Sequence, residues 1–489
     1  MDTIVRPRRF MFLQGPAGPF FAQLGNMLMR AGYSTTRVNF CGGDWIFWPS
    51  RDRRNVLNFR ASGEQWPAFL KAQIQARAIT DIVVFGDCRP AHRAAALVAE
   101  ELGATFWSFE EGYLRPDWIT LEAGGNNARS ALIRNPQDIL ARASAVSETP
   151  KPMPVSKGTF RNLALNQIAY EVADILMRPA FPTYRSHRPT TIRLELSGWF
   201  RRLSLWPMRR ISARHLVEQI RDGRFGPYFL LPLQLDTDYQ LREHSPYGSM
   251  REVVREVIAS FATHAPPESK LLLKKHPLHN GTPNLRREAM SFAEVFGVCD
   301  RVVVIDGGHL PTLLMNSDGI ITVNSTVGLS ALHHLRPVKV LGSAIYDIPG
   351  LTFQGNLDVF WRERKGPNPA LISAFRRVVT HDTQINGNFH TKAGRRLGVE
   401  GAMSRLLKSP PDEYCRVVPF SKFTKLLSKN SHSLPSAPAP LPCRYDVALQ
   451  QTPAFPSANY TAQPRSLSKA GSPSRAGNAS HNRIDVNGE

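Results

Sequence analysis

The sequence of 489 residues is long enough for roughly three domains, at about 150 residues each. Hydrophobic residues make up 42% and charged residues 21%, which is typical of a soluble globular protein, and no apolar run approaches the ~20 residues that span a bilayer. The 61 Lys and Arg against 40 Asp and Glu give a formal net charge of +21, so we expect polyanions or anionic surfaces as partners.

Short apolar runs alternate with helical patterns from Arg9 onward, which indicates βαβ units and a parallel sheet. The first series predicts a set of strands and helices that together form one Rossmann-like domain over residues 1–140. The strands are predicted at 9–15, 34–40, 81–87 and 105–112, and the helices at 20–33 and 92–104.

Residues 141–225 do not show this alternation of strand and helix patterns, and they are expected to form a basic connecting segment. Ten arginines fall within 181–225 against three acidic residues, and Trp199, Phe200 and Trp206 lie among them. A basic segment with aromatic residues is attracted to anionic membrane surfaces, so we expect this segment to face the membrane. The alternatives are a solvated basic helix that covers the cleft or pairs with acidic residues elsewhere, and a contact with nucleic acid.

A second series of alternating patterns begins near Phe225. It predicts strands at 227–234, 270–277, 301–306, 319–324 and 337–342. Residues 226–410 are therefore expected to form a second Rossmann-like domain that faces the first across a cleft, so the predicted fold class is α/β and GT-B-like. Residues 411–489 are rich in Pro, Ser and Ala and are predicted to be a disordered tail.

Candidate catalytic carboxylates follow two of the predicted strands, where α/β enzymes hold their ligands. Glu110 and Glu111 end the strand at 105–112, and a carboxylate beside another has a raised proton affinity that suits a general acid or base, although such pairs are also common as solvated residues. Asp236 and Asp238 follow the strand at 227–234 and point the same way if the backbone stays extended. Either aspartate could be the nucleophile of a double displacement, or it could cap the next helix.

Three other turns suit a bound phosphate. Two follow predicted strands of the second half and offer cations or hydroxyl and amide groups, and the third lies between the first strand and the first helix. An ordinary helix cap is the alternative for the serine, and a tight turn is the alternative for the glycines. The residues are Lys275, His276, Pro277, Asn324, Ser325, Thr326, Gly15 and Gly18.

The sequence contains no recognisable metal or cofactor motif. The five cysteines show no paired or metal-ligand spacing, so neither a metal nor a cofactor is expected.

Glycine and proline interrupt the apolar stretch that follows the basic N-terminal residues, so a signal peptide is not expected and the cytoplasm is the expected location.

Long motifs between about Phe10 and Trp361 resemble the bacterial capsule polysaccharide biosynthesis and export proteins of the KpsS/LipB type. Among these motifs are SFEEGYLRPDWITLE, LPLQLDTDYQ, KKHPLHNG and VNSTVGLSALHHLRPVKVLGSAIYDIPGLTFQG. The resemblance implies a cytoplasmic β-Kdo glycosyltransferase, peripheral on the inner membrane, that uses CMP-Kdo to place the first Kdo on a phosphatidylglycerol-type lipid. That product initiates the poly-Kdo linker of the capsule, and other capsule synthesis and export proteins are expected partners.

The resemblance also implies roles for individual residues. His276–Pro277 and Ser325–Thr326 correspond to motifs that hold the CMP phosphate, and Glu110–Gly112 corresponds to a catalytic-base motif whose second residue is Asp in many relatives. Gln234 and Asp238 match a Gln-x-x-x-Asp motif whose aspartate is the nucleophile.

These roles combine into a metal-independent double displacement with net retention. Asp238 attacks the anomeric carbon of Kdo, Lys275, His276 and Ser325 stabilise the departing CMP, and Glu111 deprotonates the lipid hydroxyl. The alternative is a non-catalytic, glycan-binding component of the capsule export assembly. A nucleic-acid-binding protein is disfavoured because no RNA or DNA module motif occurs.

Overall fold

The computed structural model describes residues 7–49, 53–148, 151–155, 159–185, 206–279 and 283–408. The predicted tail at 411–489 and most of the basic stretch before Trp206 lie outside these residues. The described residues all belong to one compact unit, within which the chain forms two separate β-sheets flanked by helices. The α/β fold class with parallel sheets is therefore confirmed.

The strands are short, as expected for parallel sheets joined by helices. In chain order they are β1 (Arg9–Phe12), β2 (Ser34–Asn39), β3 (Val56–Asn58), β4 (Asp81–Phe85), β5 (Thr105–Glu111), β6 (Trp118–Ala123), β7 (Tyr228–Pro232), β8 (Lys270–Lys274), β9 (Val302–Ile305), β10 (Gly319–Thr322), β11 (Val338–Val340) and β12 (Gln384–Asn386).

The helices connect these strands and cover both faces of each sheet. In chain order they are α1 (Phe20–Arg30), α2 (Gly42–Ile46), α3 (Trp66–Arg77), α4 (Pro90–Leu102), α5 (Pro136–Ala145), α6 (Thr159–Leu176), α7 (Trp206–Arg221), α8 (Tyr239–Glu243), α9 (Met250–His264), α10 (Leu285–Val295), α11 (Leu310–Met315), α12 (Val327–His333), α13 (Leu357–Phe360), α14 (Pro369–Thr383) and α15 (Lys392–Leu407).

Both sheets have the strand order of a doubly wound fold. The parallel part of the first sheet runs β3-β2-β1-β4-β5, and the second sheet runs β9-β8-β7-β10-β11. The direction of winding reverses between β1 and β4 in one sheet and between β7 and β10 in the other. Ligands of such sheets bind at the carboxyl ends of the strands beside this reversal, so the topology places a candidate site in each half.

The continuous apolar runs form strands because both faces of each sheet are covered. In β1 and the residue after it, Phe10 and Phe12 pack into one hydrophobic cluster, whereas Met11 and Leu13 pack into the cluster on the opposite face. The strand β7 alternates in the same way between the two clusters of the second half. The observed strands end one to three residues earlier than predicted.

The chain returns to the first sheet near its described end, which corrects the predicted boundary of the second domain. The strand β12 pairs antiparallel with β6, with Ile385 opposite Ile119, and α15 packs on α1. Ile385 and Val399 are buried in the same cluster as Phe20. Residues 384–407, predicted within the domain at 226–410, therefore belong to the first half.

Candidate functional site

The reversal point of the second sheet is bridged by two amide side chains. Gln234 follows β7 and is buried, and Asn324 follows β10. The Nε2 of Gln234 donates to Asn324 Oδ1 at 2.9 Å, and the backbone N–H of Asn324 donates to Gln234 Oε1 at 3.2 Å. This reciprocal pair holds the segment that leads to Asp238 against the segment that contains Ser325.

The two aspartates after β7 have different environments. The backbone turns at Asp236 and Thr237, so it is not the extended segment in which Asp236 and Asp238 would point the same way. Asp236 Oδ1 accepts a hydrogen bond of 2.6 Å from the backbone N–H of Met250, the first residue of α9. Asp238 is half-buried and directly precedes α8. Asp236 therefore serves as a helix cap, the commoner of the two uses considered for these residues.

The carboxyl group of Glu110 has a raised pKa. It is half-buried near the end of β5, and the backbone N–H of Glu111 donates to its Oε1 at 3.1 Å. Burial, followed by the negative charges of Glu111, Asp238 and Asp87, raises the pKa of Glu110 to about 7. Asp238 comes from the second half, and its negative charge adds to the rise in the pKa of Glu110. A carboxyl group with this pKa can both accept and release a proton near neutral pH.

The pKa of Glu111 is shifted in the opposite direction. Burial alone would favour its neutral form, but the hydrogen bond from His390 and the charge of Arg115 lower the pKa of Glu111 below its ordinary value. The distance between His390 Nε2 and Glu111 Oε1 is 3.1 Å, and the histidine is buried. His390 lies in the returning C-terminal segment between β12 and α15, so the second glutamate is tied to a residue far away in the sequence.

The predicted phosphate-binding residues lie along the carboxyl edge of the second sheet. The backbone N–H of Leu233 donates to Lys274 O at 2.8 Å, which places Lys275 and His276 beside the segment that contains Gln234. His276 Nδ1 accepts a hydrogen bond of 3.1 Å from the backbone N–H of Leu278. In the neutral ring this contact puts the proton on Nε2, which suits donation to an anion.

The turn before α12 involves Ser325, but the N-cap of this helix is Thr326, which makes no side-chain cap hydrogen bond. Ser325 Oγ accepts from the backbone N–H of Val327 at 3.2 Å, and Tyr346 donates its hydroxyl proton to Ser325 O at 2.5 Å. Thr326 precedes the first residue of the helix. The phosphate-binding roles of Ser325 and Thr326 stay predictions, because these contacts account for the turn without a ligand.

A basic cavity of about 660 Å³ opens next to this edge, between α7 and the ends of β8 and β9. Two of the predicted residues, Lys275 and Pro277, line it, together with acidic Glu218 and with Asp306, which pairs with Arg209 at 3.1 Å. Volumes of this order hold small organic ligands. The described part of the basic segment therefore lines a cavity beside the second sheet. This agrees with the alternative interpretation, in which a basic helix covers a cleft. The cationic lining residues are Arg209, Arg210, Arg214, Arg221, Lys274 and Lys275.

The glycines near the N-terminus have a sufficient structural explanation. The ring of Phe21 occupies the space next to Gly15, where a Cβ would come within 2.8 Å of it. Gly18 has a φ of +148°, a conformation that other residues rarely adopt. The cavity between them holds only about 10 Å³. The packing explains this turn without a ligand, and the role of Gly15 and Gly18 in binding an anion stays a prediction.

A buried polar network, which the sequence did not predict, joins the two halves beside the site. Cys88 Sγ lies 3.1 Å from Asp87 Oδ1 and 3.2 Å from Nε2 of His244, which comes from the second half. The guanidinium of Arg129 lies 3.3 Å from Asp87 and 3.7 Å from Cys88 Sγ. A second contact is the ion pair of Arg93 with Glu243 at the end of α8.

These residue types could hold a metal ion, but their surroundings favour hydrogen bonding. Among the described residues, ligand atoms of Asp87, Cys88 and His244 lie within 4.8 Å of one another. Arg129 already supplies the positive charge that a metal would bring, and despite burial it holds the pKa of Asp87 below its ordinary value. Burial and Asp87 raise the pKa of the Cys88 thiol, which therefore keeps its proton.

Only part of this network left a signal in the sequence. Asp87 follows a strand at the reversal point of the first sheet, where strand order alone would have drawn attention to it. His244 and His390 follow no such pattern, and only the tertiary structure brings them to the site.

Within the ranges that the structure covers, no helix combines the length and the apolar character needed to cross a membrane.

Comparison with known proteins agrees with the motifs. Residues 80–390 match the family model described as capsule polysaccharide biosynthesis protein. The chain is 36% identical over 389 residues to the capsule polysaccharide modification protein LipB of Neisseria meningitidis serogroup B, an alignment that covers 78% of this chain and 91% of LipB. It is 33% identical over 390 residues to the capsule polysaccharide export protein KpsS of Escherichia coli, covering 80% of this chain and 99% of KpsS.

The similarity to solved structures is weaker than the similarity to these two relatives. The β-Kdo 2,7 transferase of KpsC from Thermosulfurimonas dismutans is 14% identical with a TM-score of 0.38, covering 82% of this chain and 98% of the other. At that TM-score the similarity is too remote to inform the geometry of the site.

Proposed function

Because the chain belongs to the capsule polysaccharide biosynthesis protein family, we propose that it is a β-Kdo transferase that moves Kdo from CMP-Kdo to a phosphatidylglycerol-type lipid at the inner membrane. The observation that carries this proposal is the direct contact between the first half and the segment after Asp238, through Arg93 with Glu243 and Cys88 with His244. In that first half, β5 ends at Glu110 and Glu111. A double displacement requires a nucleophilic carboxylate and a group that exchanges a proton near neutral pH.

In the first step Asp238 is the nucleophile. Its carboxylate oxygen forms a bond to the anomeric carbon of Kdo, while the bond from that carbon to the phosphate oxygen breaks and its electron pair leaves with CMP. Lys275 and His276 stabilise the departing monophosphate, and the cations of the basic cavity add to the positive potential there. Protein cations can balance the charge of a monophosphate, so no step of this proposal requires a metal ion.

In the second step the lipid hydroxyl displaces the aspartate. The hydroxyl oxygen bonds to the anomeric carbon, the ester bond to Asp238 breaks, and the hydroxyl proton passes to a general base. We assign that role to Glu110, because its pKa of about 7 suits proton transfer, whereas His390 holds Glu111 ionised. Two inversions at the same carbon give net retention.

The membrane contact proposed for the basic segment at 181–225 belongs to the same function. A peripheral location on the cytoplasmic face would bring the cleft to a lipid acceptor, and the charge of +21 favours an anionic surface. Residues 186–205 of this segment lie outside the described residues.

The test is incubation of the purified chain with CMP-Kdo and a phosphatidylglycerol acceptor, with the product identified by mass spectrometry. We expect a Kdo-lipid from the wild type, and neither product nor sugar-enzyme adduct from Asp238→Asn. The matched control is Asp236→Asn, which keeps a side-chain oxygen for the N–H of Met250 and should retain both stability and transfer. An active Asp238→Asn variant would contradict the assigned nucleophile.

The basic cavity favours one alternative, a non-catalytic component that binds polyanionic glycan. Tight binding of a poly-Kdo oligosaccharide by a wild type that forms no Kdo-lipid would support this alternative. In that case Arg210→Ala and Arg214→Ala should weaken glycan binding, and Asp238→Asn should not change it.

A further inference from the structure

The helix α6 lies on the protein surface and packs through one face only. Tyr170 on the inner face donates its hydroxyl proton to Asp44 at 3.2 Å. Gly42 and Gly43 of α2 lie so close to Ala173 and Tyr170 that neither has room for a Cβ. This close packing accounts for the inner face of the helix.

The outer face of α6 is apolar although it is exposed. Its five large apolar side chains are between 47% and 73% exposed. At about 100° per residue, these positions fall within a sector of about 100° around the helix. Arg161 lies in the same sector, and Glu171 and Asp174 lie outside it. The residues are Leu165, Ile168, Val172, Ile175 and Leu176.

This arrangement is the reverse of an ordinary surface helix, which turns polar residues toward the solvent. No part of the chain that the structure describes covers the five side chains, and α2, which packs against α6, exposes Trp45 nearby. A contiguous exposed apolar surface of this kind marks an interaction site with a protein or a membrane.

The charge around this face favours a membrane over a second protein as the partner that covers it. Arg161 is exposed on the apolar face itself, and Arg178 is exposed just after the helix. A second copy of a chain with a net charge of +21 would bring positive surfaces together, whereas an anionic bilayer complements them. Apolar residues bordered by arginine are typical of helices that lie in the headgroup region of such a bilayer.

We propose that the outer face of α6 docks the protein onto an anionic lipid surface, with the five apolar side chains inserted among the headgroups. This inference deepens the proposed function, since it rests on a lipid acceptor held in a membrane, and it names a surface other than the segment at 181–225. The docking itself needs neither CMP-Kdo nor an intact catalytic site.

The test uses the full chain with Leu165→Gln, Ile168→Gln, Val172→Gln and Leu176→Gln combined. Co-sedimentation is measured with vesicles of equal parts phosphatidylglycerol and phosphatidylcholine, and with phosphatidylcholine alone. We expect the wild type to prefer the anionic vesicles and the variant to bind them at least tenfold more weakly.

The matched control replaces four single exposed apolar residues elsewhere, between 40% and 46% exposed. It should bind as the wild type does, because isolated apolar residues do not form an insertion surface. The control substitutions are Met29→Gln, Leu97→Gln, Leu140→Gln and Val359→Gln.

Other partners of the outer face of α6 would give different experimental results. Vesicle binding unchanged by the fourfold α6 variant would overturn the proposal, and a simultaneous change of oligomeric state in sedimentation velocity would identify a second copy as the occupant. Transfer to a water-soluble glycerophosphate acceptor should be equal in wild type and variant. Failure of that transfer in both proteins, with vesicle binding still lost in the variant, would reject the transferase and retain the docking face.

Discussion

Glu110 and Glu111 are the same residue type one position apart, and their surroundings give them opposite pKa shifts. Successive side chains of a strand point to opposite faces of the sheet. Glu110 lies beside the turn at Gly86, and burial together with the charges of Glu111 and Asp238 raises its pKa, whereas Glu111 is hydrogen-bonded to His390. The sequence identified the pair as acid–base candidates, but their different pKa shifts depend on residues far away in the sequence, among them Asp238 for Glu110 and His390 for Glu111.

The assignment of Glu110 as the base predicts a pH dependence of transfer. The base must be ionised to accept the hydroxyl proton, so kcat should rise with pH through about 7. Glu110→Gln should lower kcat by about 10²- to 10⁴-fold and remove this dependence. Glu111→Gln removes one negative charge beside Glu110 and should move the rise to lower pH. A rise that persists in Glu110→Gln would assign the titration to another group.

The same raised pKa predicts that Glu110 costs stability. A carboxyl group whose pKa is higher in the folded state than in the unfolded state favours folding only while it is protonated, so stability falls as pH rises from about 4.5 to about 7. Glu110→Gln should therefore raise the free energy of unfolding by up to about 3 kcal/mol at pH 8 and leave it nearly unchanged near pH 4. Urea unfolding at the two pH values measures the difference, and equal effects at both would contradict the raised pKa.

At the scale of elements, Gln234 and Asn324 join the two segments that follow β7 and β10, where the direction of winding reverses. The strand patterns predicted the two segments, and the strand order brings them side by side. The short helix α8 is then held to the first half through Arg93 and Glu243. Asp238 directly precedes that helix, so its position depends on contacts from both halves.

Replacing the bridging amide should affect both stability and activity. Gln234→Ala removes the donor to Asn324 Oδ1 and the acceptor of the Asn324 backbone N–H, which should cost about 1–3 kcal/mol and lower kcat by displacing Asp238. The control is Gln354→Ala, an exposed amide whose loss should cost less than about 0.5 kcal/mol. Thermal unfolding and the transfer assay together measure the effects, and equal results for both variants would contradict this role.

The Arg93–Glu243 ion pair should affect activity more than stability. The pair is partly exposed, so its loss should change stability by less than about 1 kcal/mol. Arg93→Glu should nevertheless lower kcat, because repulsion of Glu243, the last residue of α8, displaces the helix that Asp238 directly precedes. The double variant Arg93→Glu with Glu243→Arg should restore kcat. No restoration would show that the pair does not position the helix.

For the whole molecule, charge and the apolar face of α6 together predict how membrane binding responds to salt. Raising the ionic strength from 0.1 M to 1 M shortens the screening length from about 10 Å to about 3 Å. Binding to anionic vesicles should therefore weaken but not vanish, because insertion of apolar side chains is not screened. The fourfold α6 variant should lose binding completely at 1 M salt. Complete loss in the wild type would indicate attraction by charge alone.

The sequence by itself determined the two α/β halves, the strand ends that bear polar residues and the family. Apolar periodicity and local turn residues are properties of short segments, and short segments are enough to specify strands and helices. The tertiary structure decided that Asp236 caps a helix, that His390 ionises Glu111, that residues 384–407 join the first half and that α6 exposes its apolar face. Burial and charge proximity arise between segments far apart in the chain, and periodicity shows which residues are apolar but not which face remains uncovered.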